Sequence, residues 1–320
     1  MSKAYITALG DTGLKKESVI YNDAVSLKET IKRAGYETEI ALREDVDKIK
    51  GTDNDVLFVL YAGVINFGGK QTPHVVKVIK KMNSFKGKVV LFFNDVMDNP
   101  RNDMRDEFVH VNRPIYLANP IEPEIAAQSV LNFNVIDAVQ MNQSWTIGKK
   151  LVARKDDETE PLFDLAYGGR NRPGVLKELK EIFSEVKSGV VFNGVAKELK
   201  GGAIKELNIK KKVDNSLFRE MISLGRYTVI PYEKKKDYVT SRMFETMTSN
   251  AITLFNKKEV KVEGLVLPEL QYETPQEAVE IINGEYNEEL LQEQHEIVRK
   301  FDFDKHIEQE AEAFRKMLSE

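Results

Sequence analysis

Several short stretches of this 320-residue chain combine residue types that bind phosphate, hold sugar hydroxyls or take up a proton. The run Tyr167-Gly168-Gly169-Arg170-Asn171-Arg172-Pro173-Gly174 follows an apolar stretch and precedes a helix-like one. Its glycines permit a tight turn and the close approach of a ligand, and Pro173 suits a first helical turn. The free N–H groups and positive end of such a helix favour phosphate, and Arg170 and Arg172 add forked donors suited to a diphosphate. An ordinary strand–turn–helix joint with surface arginines has the same appearance. The run is not a GxGxxG fingerprint, and no Gly-Lys-Ser/Thr follows to make a P-loop.

A second group is Ser241-Arg242-Met243-Phe244-Glu245-Thr246-Met247-Thr248-Ser249. At helical spacing Arg242, Glu245 and Ser249 share one face, while Met243, Phe244, Met247 and Ala251 form an apolar one. A carboxylate there can hold both hydroxyls of a ribose and the arginine can meet phosphate; a surface ion pair is the alternative. Asp95 follows the apolar run Val89–Phe93 after one residue, Asn94, at the carboxyl edge of any sheet containing it. It is placed for a general base that takes a proton from an acceptor hydroxyl, or simply for a turn cap. Glycine loops at Gly10-Asp11-Thr12-Gly13 and Ile65-Asn66-Phe67-Gly68-Gly69-Lys70 also end apolar runs, and turn formation explains most such glycines.

These residues need a scaffold that brings strand ends together. Candidate strands are Ala4–Leu9, Glu39–Leu42, Val56–Tyr61, Val89–Phe93, Ile115–Ala118 and Phe133–Val139, then Leu162–Tyr167, Gly189–Phe192, Tyr227–Ile230, Ile252–Phe255 and Gly264–Leu267. Helix-like segments separate them: Ser18–Ala34, Pro73–Met82, Glu122–Asn132, Gly174–Val186, Ser216–Ser223, Arg242–Asn250 and Pro275–Asn283. Strand–helix alternation implies parallel sheets covered on both faces. The pattern restarts after the charged stretch Arg154–Glu160, so the expected domains are 1–155 and 156–302. A last charged amphipathic stretch, Asn287–Ser319, forms one or two helices, of which 303–320 packs back on the first domain. The expected fold is thus α/β, two facing doubly wound domains with a deep cleft, and ligands at the carboxyl ends of the strands.

The bulk numbers narrow the class. A 42% hydrophobic share fills two cores, and no run of about 18 apolar residues is present to span a membrane. Absence of cysteine excludes disulfides, thiolate catalysis and cysteine-bound zinc, and no signal peptide is visible, so a cytoplasmic setting is expected. His74, His110, His295 and His306 are scattered, with no metal-binding spacing. The net charge of −4 hides an asymmetry: Lys70, Lys77, Lys80, Lys81, Lys86 and Lys88 fall in a stretch without an acid, whereas acids outnumber bases by ten from Lys261 to Glu320. A polyanion would approach the N-terminal half, unless the lysines are only a solvated helix face.

Taken in order, the pieces resemble the DNA β-glucosyltransferases of T-even phages. The resemblance lies in Ile65–Lys70, Leu91-Phe92-Phe93-Asn94-Asp95, Asn112-Arg113-Pro114, Tyr167-Gly168-Gly169 with Arg172, Phe192-Asn193-Gly194, and Arg242 with Glu245-Thr246-Met247 and Ser249. It covers about four-fifths of the chain, from the first strand to about Phe255. It implies a GT-B-type fold, with a UDP-sugar donor in the second lobe, double-stranded DNA against the first, and inversion without a covalent intermediate. By the same resemblance Asp95 is the catalytic base and Asp23, where the family has glutamate, contacts the sugar. Gly10, Gly168, Gly169, Arg170, Arg172, Gly194, Tyr232, Arg242 and Glu245 are expected to meet the nucleotide, and Asn66, Lys70 and Arg113, with Lys77, Lys80 and Lys81 of the acid-free stretch, to meet DNA. The implied reaction moves glucose to 5-hydroxymethylcytosine in phage DNA, in the host cytoplasm. Another sugar such as arabinose, a 5-hydroxymethyluracil acceptor and a non-DNA acceptor remain open. Leu176 stands where the family has a further arginine, leaving Arg170 or Lys177 to substitute, and Tyr232 or Lys234 answers to the family's tyrosine near the phosphates. Mg2+ or Mn2+ would act on the diphosphate, as no dedicated metal cluster is visible. The protein is expected to be a monomer.

Overall fold

The computed structural model describes residues 2–10, 13–16, 19–61, 66–67, 70–92, 108–119, 135–140, 161–169, 173–192, 204–206, 215–232, 241–260, 264–300 and 303–319. The chain divides into two compact units, Met1–Gly148 with Phe303–Glu320, and Lys149–Asp302.

In the first unit the elements are β1 (Lys3–Leu9), α1 (Val19–Arg33), β2 (Glu37–Ile40), β3 (Val56–Tyr61), the short strands β4 (Asn66–Phe67) and β5 (Lys70–Gln71), α2 (Pro73–Ser84), β6 (Lys88–Phe92), β7 (Ile115–Asn119) and β8 (Val135–Gln140). Six strands form one sheet in the order β2-β1-β3-β6-β7-β8, every pairing parallel. Buried on both faces, β1, β3 and β6 must read as continuous apolar runs, and they do. Alternate residues serve opposite layers. Tyr5, Leu57, Val59, Val89 and Leu91 pack with α2 residues Val75, Val78, Ile79 and Met82. Ala4, Ile6, Phe58, Leu60 and Val90 pack on the other face with Leu27 and Ile31. Helix α2 starts where local chemistry dictates: Thr72 caps it by accepting the Val75 N–H, and Pro73 takes the first position.

The second unit contains β9 (Phe163–Gly168), α3 (Pro173–Glu185), β10 (Gly189–Phe192), β11 (Ile204–Glu206), α4 (Asn215–Ile222), β12 (Gly225–Ile230), α5 (Ser241–Met247), β13 (Ile252–Asn256), β14 (Gln271–Tyr272), α6 (Pro275–Asn283) and α7 (Glu288–Arg299). Its sheet runs β11-β10-β9-β12-β13-β14, again all parallel. Helix α8 (Phe303–Ser319) then returns to the first unit. Phe314 meets Phe58 edge-to-face at 5.4 Å, Arg33 pairs with Glu308, and Lys88 donates to the Leu318 carbonyl at 2.6 Å.

Both sheets are doubly wound. Counted within each unit, the first has order 2-1-3-4-5-6 and the second 3-2-1-4-5-6, so the winding reverses between β1 and β3 and between β9 and β12. One expected strand is corrected: Gly264–Leu267 is not a strand. Gly264 lies at φ 75° and Pro268 opens a 3-10 turn, so the sheet's edge strand forms instead at Gln271–Tyr272. The expected β2 also shifts from Glu39–Leu42 to Glu37–Ile40, and Asn287–Ser319 resolves into two helices.

Candidate functional site

The reversal point of the second sheet is where its candidate residues gather. Strand β9 ends at Gly168, level with Phe192 of β10. An added Cβ on Gly168 would lie 2.7 Å from Cε2 of Phe218, on α4, so the missing side chain is what admits that ring. The guanidinium of Arg242, at the start of α5, lies 4.4 Å above the same ring and donates from Nη1 to the Gly168 carbonyl at 2.6 Å. Its Nε stands 3.8 Å from Oε2 of Glu245, whose side chain is only 11% exposed against 37% for Arg242. The i,i+3 face read from the sequence is therefore present, and the apolar residues Met243, Phe244 and Met247 lie buried as expected. Ser249 is buried and donates to the Thr246 carbonyl at 2.6 Å.

Two residues escaped the sequence reading. Phe218 forms the platform between Gly168 and Arg242. Arg219 beside it is half-buried; burial lowers its pKa, and the carboxylates of Glu245 and Glu220 act in the opposite direction. Their segment, Asn215–Ile222, reads only as an amphipathic helix, and nothing local marks it. Arg242 and Arg219 both act on the Glu245 carboxylate, and forked donors beside an acceptor suit a diphosphate with a ribose next to it. At the end of β12, the Tyr232 N–H donates to Oε2 of Glu178 at 3.1 Å, and its ring lies 5.4 Å beneath the Lys258 ammonium. Gly169 is also described: a Cβ there would strike the Tyr167 hydroxyl at 2.4 Å. Arg170, Arg172 and Gly194 lie outside the described residues, while Pro173 does open α3.

In the first unit, Leu9 lies level with Tyr61 and Leu60 with Phe92, so the carboxyl ends of β1, β3 and β6 lie along one edge. Gly10 is buried there and accepts the Gly13 N–H at 3.2 Å; Gly13 itself, at φ 63°, has the His74 ring against it. Asp23 sits half-buried in the second turn of α1. Asp95 lies outside the described residues. Asn66 and Lys70 belong to the β4–β5 hairpin, and Lys70 is exposed.

The lysine row is less open to a polyanion than the sequence suggests. Lys77 pairs with Asp47 at 2.6 Å and Lys81 donates to the Ile49 carbonyl at 2.8 Å, whereas Lys80 is exposed. Arg113 has an internal task. Its guanidinium donates to the carbonyls of Met82, Phe85 and Gly87, closing the end of α2, and burial lowers its pKa. The resemblance implies a DNA contact for Arg113, and nothing in its sequence neighbourhood signals these carbonyl partners. Among the described residues no group of three His, Asp or Glu side chains could hold a metal ion, and no helix is long and apolar enough to cross a membrane.

No protein-family model matches the chain, and no curated protein matches it. Solved structures do. An aspartate-to-alanine mutant of T4 phage BGT in complex with UDP-glucose superposes with a TM-score of 0.75 at 20% identity, over 99% of each chain. The chain has the fold of T4 phage β-glucosyltransferase. The DNA-modifying enzyme β-glucosyltransferase, solved with and without uridine diphosphoglucose, matches at TM-score 0.74 and 18% identity over 99% of this chain and 100% of its own. T4 phage BGT with UDP and Mn2+ matches at 0.73 and 20%, over 99% of each chain. The two Rossmann-like units thus match a GT-B-type glycosyltransferase fold.

Proposed function

We propose that the chain is an inverting DNA glycosyltransferase that moves glucose from UDP-glucose to the hydroxymethyl group of 5-hydroxymethylcytosine in double-stranded DNA. The observation that carries this reading is the meeting of Gly168, Arg242 and Glu245 at the reversal point of the second sheet, in a chain whose fold matches structures of a UDP-glucose-bound, DNA-modifying enzyme over its full length.

Glu245 would take the ribose hydroxyls, and the Arg242 N–H groups not spent on Gly168 would meet the diphosphate. The helix α3 N-terminus, with Arg170 and Arg172, adds further donors for it. Gly10 and Gly194 would approach the donor through backbone, Tyr232 would flank it, and Asp23 would hold the sugar. On the acceptor side the target base leaves the stack, because its hydroxymethyl oxygen must reach the donor carbon. Asp95 takes the hydroxymethyl proton as that oxygen bonds to the anomeric carbon. The bond from that carbon to the diphosphate oxygen breaks, its electron pair leaves with UDP, and the guanidiniums stabilise the charge. A divalent ion, Mg2+ or Mn2+, would accompany the diphosphate; the described residues offer no cluster to hold one.

Lys70, Lys80 and Asn66 are the proposed DNA contacts. The internal engagement of Lys77, Lys81 and Arg113 favours a second reading, the same transfer to an acceptor other than DNA. Incubation with several UDP-sugars and DNA containing 5-hydroxymethylcytosine or 5-hydroxymethyluracil, read as nucleoside mass, decides among them. A hexose added to 5-hydroxymethylcytosine is expected. A pentose or a modified uracil corrects sugar or base, and unmodified DNA with every donor overturns the DNA acceptor.

A further inference from the structure

Three donors from distant parts of the second unit converge on the carboxylate of Glu178, on α3. The Tyr232 N–H reaches Oε2 at 3.1 Å, while Asn256 Nδ2 and the Tyr272 hydroxyl reach Oε1 at 3.0 and 2.7 Å. Asn256 and Tyr272 are both buried. Tyr232 follows the end of β12, Asn256 ends β13 and Tyr272 ends β14, so one side chain ties α3 to three neighbouring strand ends. The network continues outward: Asn256 Oδ1 accepts the Lys258 N–H at 3.1 Å, and Lys258 covers the Tyr232 ring. Burial first, and then the Glu178 charge, hold the Tyr272 hydroxyl well above its usual pKa, so it keeps its proton and donates.

We infer that Glu178 is a positioning residue for the nucleotide-sugar donor: it sets the α3 N-terminus and the Tyr232 main chain in fixed relation at the carboxyl edge beside Gly168. The inference rests on the donor site proposed above. Strand β12 is the neighbour of β9 across the reversal point, so a shift of α3 against Tyr232 alters the spacing of groups that would bracket a diphosphate. A carboxylate is suited to the task because both oxygens only accept, and all three partners only donate here. Glu178 would not touch the reacting atoms.

The test is Glu178→Gln. The amide still offers one oxygen to Asn256 and Tyr272, but its NH2 faces the Tyr232 N–H, donor against donor. Calorimetry with UDP should show affinity weakened about tenfold, and KM for the UDP-sugar should rise by a similar factor while kcat changes less than about twofold. Amide exchange at Tyr232 should quicken. Tyr272→Phe, which leaves the Tyr232 tether whole, should keep UDP affinity within about twofold and so separates positioning from general loosening. Unchanged UDP affinity in Glu178→Gln, or a loss confined to kcat, overturns the inference and leaves the donor site standing. Absence of UDP binding by the unmodified protein overturns the donor site itself. If the glutamine variant does not fold, Glu178→Asp keeps the charge but shortens the reach to the Tyr232 N–H; an expected loss of about threefold in UDP affinity supports the inference, and no loss overturns it.

Discussion

Exchanging Glu310 for glutamine should make the protein more stable in alkaline solution and leave it nearly unchanged in acid. Glu310 lies on α8, only 3% exposed, and among the described residues neither carboxylate oxygen has a hydrogen-bond partner. Burial pushes its pKa from the usual 4.5 up to about 8. The folded state therefore holds a proton that the unfolded chain releases at much lower pH. A raised folded pKa gives stability that is complete below about 4.5 and is lost as pH rises through about 8. Across that span of about 3.5 pH units, at about 1.36 kcal/mol per unit, the ceiling is on the order of 5 kcal/mol, and relaxation around the charged form reduces it to a few. Glutamine keeps the shape and the polar atoms but cannot ionise. Urea unfolding at intervals from pH 5 to pH 9 checks this. The difference in unfolding free energy, variant minus unmodified, should grow steadily towards alkaline pH and reach about 2–4 kcal/mol by pH 9. Two curves that stay parallel throughout would show that Glu310 does not ionise in place, and would refute the argument.

Asp95→Ala should lower sugar transfer by about 10²–10⁴-fold while UDP affinity stays within about threefold, measured by single-turnover transfer and calorimetry; retained turnover removes the base from Asp95. Gly168→Ala should cost about 1–3 kcal/mol of stability and weaken UDP binding, because the new methyl displaces Phe218 and with it the platform under Arg242. Arg113→Met should destabilise by about 1–3 kcal/mol by leaving the α2-end carbonyls unpaired, yet leave DNA affinity unaltered, whereas Lys70→Glu with Lys80→Glu should weaken DNA binding and flatten its salt dependence. The reverse pattern in filter binding and melting would move the DNA surface to Arg113.

What could be read without coordinates is what depends on neighbours along the chain. The apolar runs at β1, β3, β6 and β9 are long and buried on both faces, so their composition alone announces two parallel, doubly wound sheets. Arg242 and Glu245 share a face because they stand one helical turn apart, a spacing visible in the letters. Position after a strand likewise marks Gly168 and Tyr232 as edge residues. What only the tertiary structure decided concerns groups far apart in sequence. Gly168 receives its ring from Phe218 and its carbonyl's partner from Arg242, 74 residues on; Glu178 collects donors 54, 78 and 94 residues away. Arg113 turns inward to close α2, and Lys77 and Lys81 are held by Asp47 and Ile49. The physical reason is the same in each case. Secondary structure follows from local periodicity and sterics, but a polar side chain's partner is chosen by which buried donors and acceptors the packed strands and helices leave within three ångströms.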